Sequence, residues 1–278
     1  MKKIKLIIAI LLASFSTISC EDVVDVDLNT AAPKLVIDAS IKWQKGTTGN
    51  LQKIKLTTTT DFYSSTIPVA TGAVVAVTNI TLSTPVTYQF IEDAQTGEYI
   101  CSNFSPIIDN NYALTIVYKG QTYSATSQFM PTPEIEKTEQ SIKPDFGGKD
   151  TYEIKFYFQD NGSEDNFYLV GAKNDKIAYP EYGVLTDKFF QGNQMFAIYQ
   201  NDELKKGDII EYSVQGITEK YHNYMAKLLN IAGSNGGSPF ATPPATLRGN
   251  IINKTNADDF PLGYFHLSEI DADSYTIQ

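Results

Sequence analysis

Arginine is almost absent from this sequence. Arg248 is the only one among 22 bases, which face 32 acids and leave a net charge of −10. A nucleic-acid binder needs dense positive charge and usually guanidinium forks, so that class is excluded. Cysteine is nearly as scarce. Cys20 and Cys101 alone cannot build a disulfide scaffold or a cysteine-rich zinc site. Two histidines, His222 and His266, leave little for metal or triad chemistry, and the H-E-x-x-H, G-x-S-x-G, P-loop and dinucleotide patterns are all missing. Glycine (18) and proline (12) are at ordinary levels, which excludes collagen-like and low-complexity chains. No run reaches 18 consecutive apolar residues, so no spanning helix is expected.

The sequence does carry an address. Lys2, Lys3 and Lys5 precede the apolar run from Leu6 to Phe15, then small polar residues to Ser19, then Cys20. This is the anatomy of a secretory signal, and a cysteine closing it reads as a bacterial lipobox. Residues 1–19 are expected to be removed between Ser19 and Cys20, and Cys20 to be acylated, holding the protein on a membrane through lipid. Thr17 stands where leucine is commoner. The cut takes three lysines with it, leaving 19 bases against 32 acids, a charge of −13. Residues 20–33 form an acidic tether, with Glu21, Asp22, Asp25 and Asp27 beside the anchor. Anionic lipid repels such a segment. It resembles the acidic export signals of surface lipoproteins in Bacteroidota, which favours the outer face of the outer membrane, with the periplasmic face as the alternative.

The remainder reads as mainly β. Between 34 and 130, seven segments alternate apolar and polar residues: 34–41, 51–60, 72–79, 86–93, 97–102, 111–120 and 121–129. Period-two alternation with β-branched and aromatic enrichment marks half-buried strands. Seven of them predict a β-sandwich of immunoglobulin or transthyretin-like type. Met130-Pro131-Thr132-Pro133 cannot continue a ladder, because proline lacks the donor, and sets a domain boundary. Residues 131–278 are expected to form a second, mainly antiparallel β domain with strands at 151–160, 166–174, 193–202, 207–217, 261–271 and 274–278. It holds one substantial helix near 218–232, capped by Thr218 and ended by Gly233, with Tyr221, Met225, Leu228, Leu229 and Ala232 as its apolar stripe. The Gly-, Ser- and Pro-rich stretch after it, 233–251, predicts a long loop that is either functional or disordered.

Several segments together resemble domain-of-unknown-function family 4249, uncharacterised lipoproteins of the Bacteroidota cell envelope. They are the Cys20 signal with its acids, Pro33–Ile37, Gly97–Tyr99 through Gly120–Tyr123, and Asp187–Gly192. Tyr221 to Tyr224, Ser238–Phe240 through Gly249–Ile251, and Leu262–Phe265 complete the set. The resemblance spans the mature chain. It implies an envelope protein often encoded beside TonB-dependent outer-membrane transporters, and it carries over no catalytic residue.

No cofactor is expected beyond the lipid on Cys20. Calcium is the ion such an acidic chain would take, but Asp160–Asp165 has its glycine too early for an EF-hand loop and reads as a solvated hairpin turn. Asp258, Asp259, Asp271 and Asp273 are equally ordinary. Cys101 should pack in the first core. Tyr157, Tyr168, Tyr179, Tyr182 and Tyr224 fall on outward or loop positions, where tyrosine offers rigid contact area to a partner. Tyr224, Phe240 and Arg248 are the expected contact residues. The sequence therefore predicts a non-enzymatic surface lipoprotein that binds a ligand or serves a TonB-dependent transporter. The alternatives are a structural or adhesive envelope protein and, further off, a glycan or peptide hydrolase.

Overall fold

A computed structural model describes residues 32–278 apart from 62–63, 145–147 and 234–246. Ser19, Cys20 and Phe240 thus lie outside the described residues. Pro33–Gln278 forms one compact unit, and none of its described helices is long and apolar enough to cross a membrane.

The protein is mainly β, with one helix among the described residues. Strands β1 (Leu35–Gln44), β2 (Gln52–Thr58), β3 (Val74–Asn79), β4 (Val86–Glu92), β5 (Glu98–Cys101), β6 (Asn111–Tyr118) and β7 (Gln121–Met130) occupy the seven expected segments. Seven strands in a row leave two bare edges, on β1 and β7. Both are taken by the last strand, β15 (Leu262–Thr276). It runs parallel to β1 from Val36↔Leu262 to Gln44↔Ile270, and parallel to β7 at Leu267↔Phe129 and Ser268↔Met130. The order β15-β1-β2-β5-β4-β3-β6-β7 therefore returns to β15. An eight-stranded, barrel-like ring replaces the expected two-sheet sandwich. The physical reason is edge satisfaction: closure pairs backbone groups that an open sheet leaves unpaired.

Alternation fills the ring. Ile37, Ala39 and Ile41 from β1, Tyr99 and Cys101 from β5, Tyr112, Leu114 and Ile116 from β6, and Phe265 and Leu267 from β15 share one core. Cys101 is buried and unoxidised there. The C-terminal segment was expected to belong wholly to the second half, and half of it instead completes the first core.

The second half contributes β8 (Ile135–Pro144), β9 (Asp150–Gln159), β10 (Phe167–Asn174), β11 (Glu181–Thr186), β12 (Gln194–Gln200), β13 (Ile209–Gly216), helix α1 (Glu219–Gly233) and β14 (Ile252–Asn253). β15 leaves β7 after Ser268 and from Asp271 onward pairs antiparallel with β13, which extends the sheet through β10 to β11. A separate sheet ordered β12-β9-β8 packs over this extension. Ile154, Phe156 and Phe158 of β9 and Met195, Ala197 and Tyr199 of β12 meet Tyr168, Val170 and Ala172 of β10 and Ile210, Tyr212 and Val214 of β13.

The handover along β15 occurs at the prolines. β7 ends at Met130, and Thr132 then bonds Glu269 twice, its amide to Oε2 (3.1 Å) and its hydroxyl to the backbone carbonyl (2.7 Å). The Gly216 amide donates to Thr132 Oγ1 at 2.7 Å, where β13 takes over. Pro131 sits where no ladder donor is needed.

Candidate functional site

Helix α1 starts as its sequence dictates. Thr218 Oγ1 accepts from the Tyr221 amide at 3.3 Å, satisfying a donor that the first turn leaves open. Glu219 favours the positive end of the helix. Only the first turns lie on the sheet: Tyr221 and Met225 are buried, packed with Leu169, Ile217 and Tyr264. Leu228 and Ala232 are exposed, so the expected five-residue stripe is shorter than its spacing suggests.

This docking assembles a tyrosine face. The Tyr221 ring stacks on His266 (centroids 3.9 Å apart) and lies 4.8 Å from Tyr264, while Tyr224 lies 6.1 Å from Tyr221 and 4.8 Å from Tyr264. From β11, Tyr182 covers Gly171, where a Cβ would come within 2.9 Å of its ring. Asp38 of β1 stands within electrostatic reach of Tyr182, Tyr221 and Tyr224. Burial first, and that carboxylate second, raise the pKa of all three phenols. Burial and Tyr224 push Tyr264 up to about 12. All four are therefore protonated donors at neutral pH. Tyr182 and Tyr224 are partly open to solvent; Tyr221 and Tyr264 form the floor.

Arg248 is exposed one residue before Gly249, where a Cβ would stand 3.3 Å from the Tyr264 ring. Its guanidinium lies 3.7 Å above the Phe260 ring, which Lys34 approaches at 3.9 Å from its own side. The following residues fix the segment to β15. A Cβ on Gly249 would lie 1.7 Å from the Gly263 carbonyl oxygen, so only glycine permits this approach. Asn250 then acts as a one-residue strand. Its Nδ2 donates to the Phe265 carbonyl (2.8 Å) and its Oδ1 accepts from the Phe265 amide (2.9 Å). Ile251 drops into the barrel core.

The histidines lack the surroundings that catalysis requires. His266 is buried, and neither ring nitrogen has a hydrogen-bond partner among the described residues. Burial, with a smaller contribution from Lys42, lowers its pKa to about 3, so it is a neutral wedge under Tyr221. His222 packs 5.2 Å from Phe167, with no acid aligned on it among the described residues.

The structure separates the other expected tyrosines. Tyr157 and Tyr179 face outward. Tyr168 does not. It is buried, and its hydroxyl donates to Asp160 Oδ1 at 2.5 Å. Both faces of β10 are covered, so alternation alone could not orient it. The 160–165 turn is exposed from Asn161 to Asp165, whereas Asp160 is buried and also accepts the Gly192 amide at 2.8 Å. Nearby, the fully buried Asp187 has no hydrogen-bond partner within normal geometry for either side-chain oxygen among the described residues. Desolvation raises its pKa, the Asn166 and Asp187 backbone amides oppose this, and Asp160 and Asp165 add to it. Among the described residues, no three acidic, histidine or cysteine side chains converge as metal ligands.

One feature escaped sequence reasoning. Phe189 and Phe190 stand 89% and 58% exposed in the turn before β12, and Lys188 of that turn approaches Glu219 of α1 at 3.9 Å. Adjacent phenylalanines in a polar turn were the available signal.

Fold and face together define a mainly β protein with a closed strand ring, a second sheet-on-sheet layer and an aromatic surface beside the one helix among the described residues. The chain belongs to the family described as domain of unknown function (DUF4249), whose model matches residues 21–273. No curated protein matches it. Among solved structures it is similar to the FN1–FN3 domains of chicken CNTN1, at 12% identity and a TM-score of 0.26. That match covers 68% of this chain and 63% of the other, so the chain spans less than two thirds of its length.

Proposed function

We propose that the protein is a lipid-anchored, non-enzymatic lipoprotein of the outer-membrane surface, and that it serves a TonB-dependent transporter by docking through the tyrosine face. The observation that carries this reading is the face itself: Tyr182 and Tyr224 are partly open, Tyr221 and Tyr264 are buried, and Arg248 is exposed on the segment whose Gly249 packs against Tyr264. Tyrosine gives much contact area at low entropic cost, and tyrosine and arginine are enriched among interface hot spots. The chemistry argues for binding rather than turnover. Protonated phenols and a neutral, unpartnered imidazole supply neither a base nor an activated nucleophile. The cleavable signal ending at Cys20 and the acids after it supply the anchor and the surface address.

The test is affinity purification of the tagged full-length lipoprotein from native membranes. An outer-membrane β-barrel should co-purify, and Tyr224→Ala combined with Arg248→Ala should reduce its recovery at least tenfold with the lipoprotein still folded. Absence of a barrel, or equal recovery with the variant, overturns the reading.

A further inference from the structure

Four strands end the two sheets: β11 and β14 in the large one, β12 and β8 in the small one. An unpaired edge is a template for another strand, and proteins guard edges with charge, proline, bulges or brevity. Three of the four are guarded. β14 has two residues. β11 opens on Glu181 directly after Pro180. β8 carries Glu136, Lys137, Glu139, Lys143 and Pro144, with an irregularity between Ile135 and Lys137.

β12 has none of these devices. Its seven residues, Gln194-Met195-Phe196-Ala197-Ile198-Tyr199-Gln200, include no charge, proline or glycine. Their register with β9 runs unbroken from Gln194↔Gln159 to Gln200↔Glu153. Phe196 and Ile198 are 46% and 51% exposed on the outer face. Beside the free edge, between β12 and β11, lies an open cleft of about 770 Å³ lined by Phe156, Ala172, Leu185, Ala197 and Tyr199. Nothing among the described residues covers it.

We infer that β12 is a docking edge for a second copy of this chain, the two strands pairing antiparallel about Ala197. The strand's own order selects this occupant. A dyad at Ala197 sets Phe196 opposite Ile198 of the other copy, Met195 opposite Tyr199 and Gln194 opposite Gln200. Every apolar residue then meets an apolar or aromatic one, glutamines close both ends, and no like charges oppose. For a chain of net charge −10, an edge without acids is the place where two copies approach at least electrostatic cost. Aromatic against β-branched is a favourable cross-strand pair. Pairing would join two three-stranded sheets into one of six strands and cover the cleft mouth. A seven-residue edge is a small interface. Confinement of two lipid-anchored copies to one membrane raises their effective concentration and compensates for its size.

The experiment traps the register. Phe196→Cys/Ile198→Cys is introduced into the full-length lipoprotein in its native membrane, and the membranes are oxidised gently and run without reductant. Opposed positions in an antiparallel pair lie within disulfide reach, so a cross-linked dimer of this chain should form. Ile142→Cys, exposed on the guarded β8 edge, should yield less than a tenth as much. Far-UV circular dichroism of the purified variants establishes that they are folded. No dimer from folded protein, equal dimer from Ile142→Cys, or cross-linking only to a different protein would each overturn the inference.

Discussion

At the residue scale, the two positions most informative about this fold are a glycine and a histidine. Gly263 adopts φ +98° with Ile37 O only 2.0 Å from where a Cβ would stand. Both the conformation and the space exclude any side chain. Gly263→Ala should cost about 2–4 kcal/mol, seen as a lower denaturation midpoint with an unchanged slope. His266 makes the opposite kind of prediction. Its folded pKa of about 3 lies below that of an unfolded histidine, about 6.5. The unfolded chain therefore takes up a proton as pH falls through 6.5 while the folded chain does not. Stability is fully present above that value and is lost progressively down to about pH 3, by roughly several kcal/mol in total. Removing an unpartnered buried polar group in favour of an apolar ring is near neutral or stabilising. His266→Phe should preserve the stack on Tyr221 and hold its stability at pH 7. Its acid-unfolding midpoint, followed by circular dichroism, should move to lower pH.

At the scale of elements, the legibility of the sequence followed the cleanness of the alternation. β1 to β7 were readable because one face of each is buried and the other is wet, as in Leu35, Ile37, Ala39 and Ile41. β8 escaped because a charged edge strand, Ile135–Pro144, has little apolar face to alternate. β11 escaped because it is short and its exposure does not alternate, Glu181 and Tyr182 being exposed and Gly183–Thr186 half-buried. The sequence pattern divides β15 into 261–271 and 274–278, with Asp271 and Asp273 at the break. In the structure they belong to the β13 pairing, and Asp271 Oδ2 accepts the Ile135 amide at 2.7 Å. No local pattern encodes which distant edge a strand will fill, so ring closure was invisible. The site was half visible. Tyr182, Tyr224 and Arg248 were recognised as exposed contact types, whereas Tyr221 passed for an ordinary helix stripe. Several segments that carry the family resemblance turn out to be structural, above all Gly249-Asn250-Ile251. Asn250→Ala removes both bonds to the Phe265 backbone and should cost about 1–3 kcal/mol. Hydrogen exchange at the Phe265 amide should quicken well before exchange in β3 or β6 changes.

At the scale of the whole molecule, one strand organises everything. β15 closes the ring through β1 and β7, carries Tyr264 and His266 beneath α1, and continues into the second sheet through β13. The tyrosine face thus sits on the element shared by both cores, where side chains are held most rigidly. The most direct test is a photo-cross-linking residue placed on that face in intact cells. Substituted for Tyr182, it should capture an outer-membrane β-barrel. Substituted for Gln89, exposed on β4 across the ring from β15, it should capture none. A barrel captured equally from both positions, or from neither, would contradict the account.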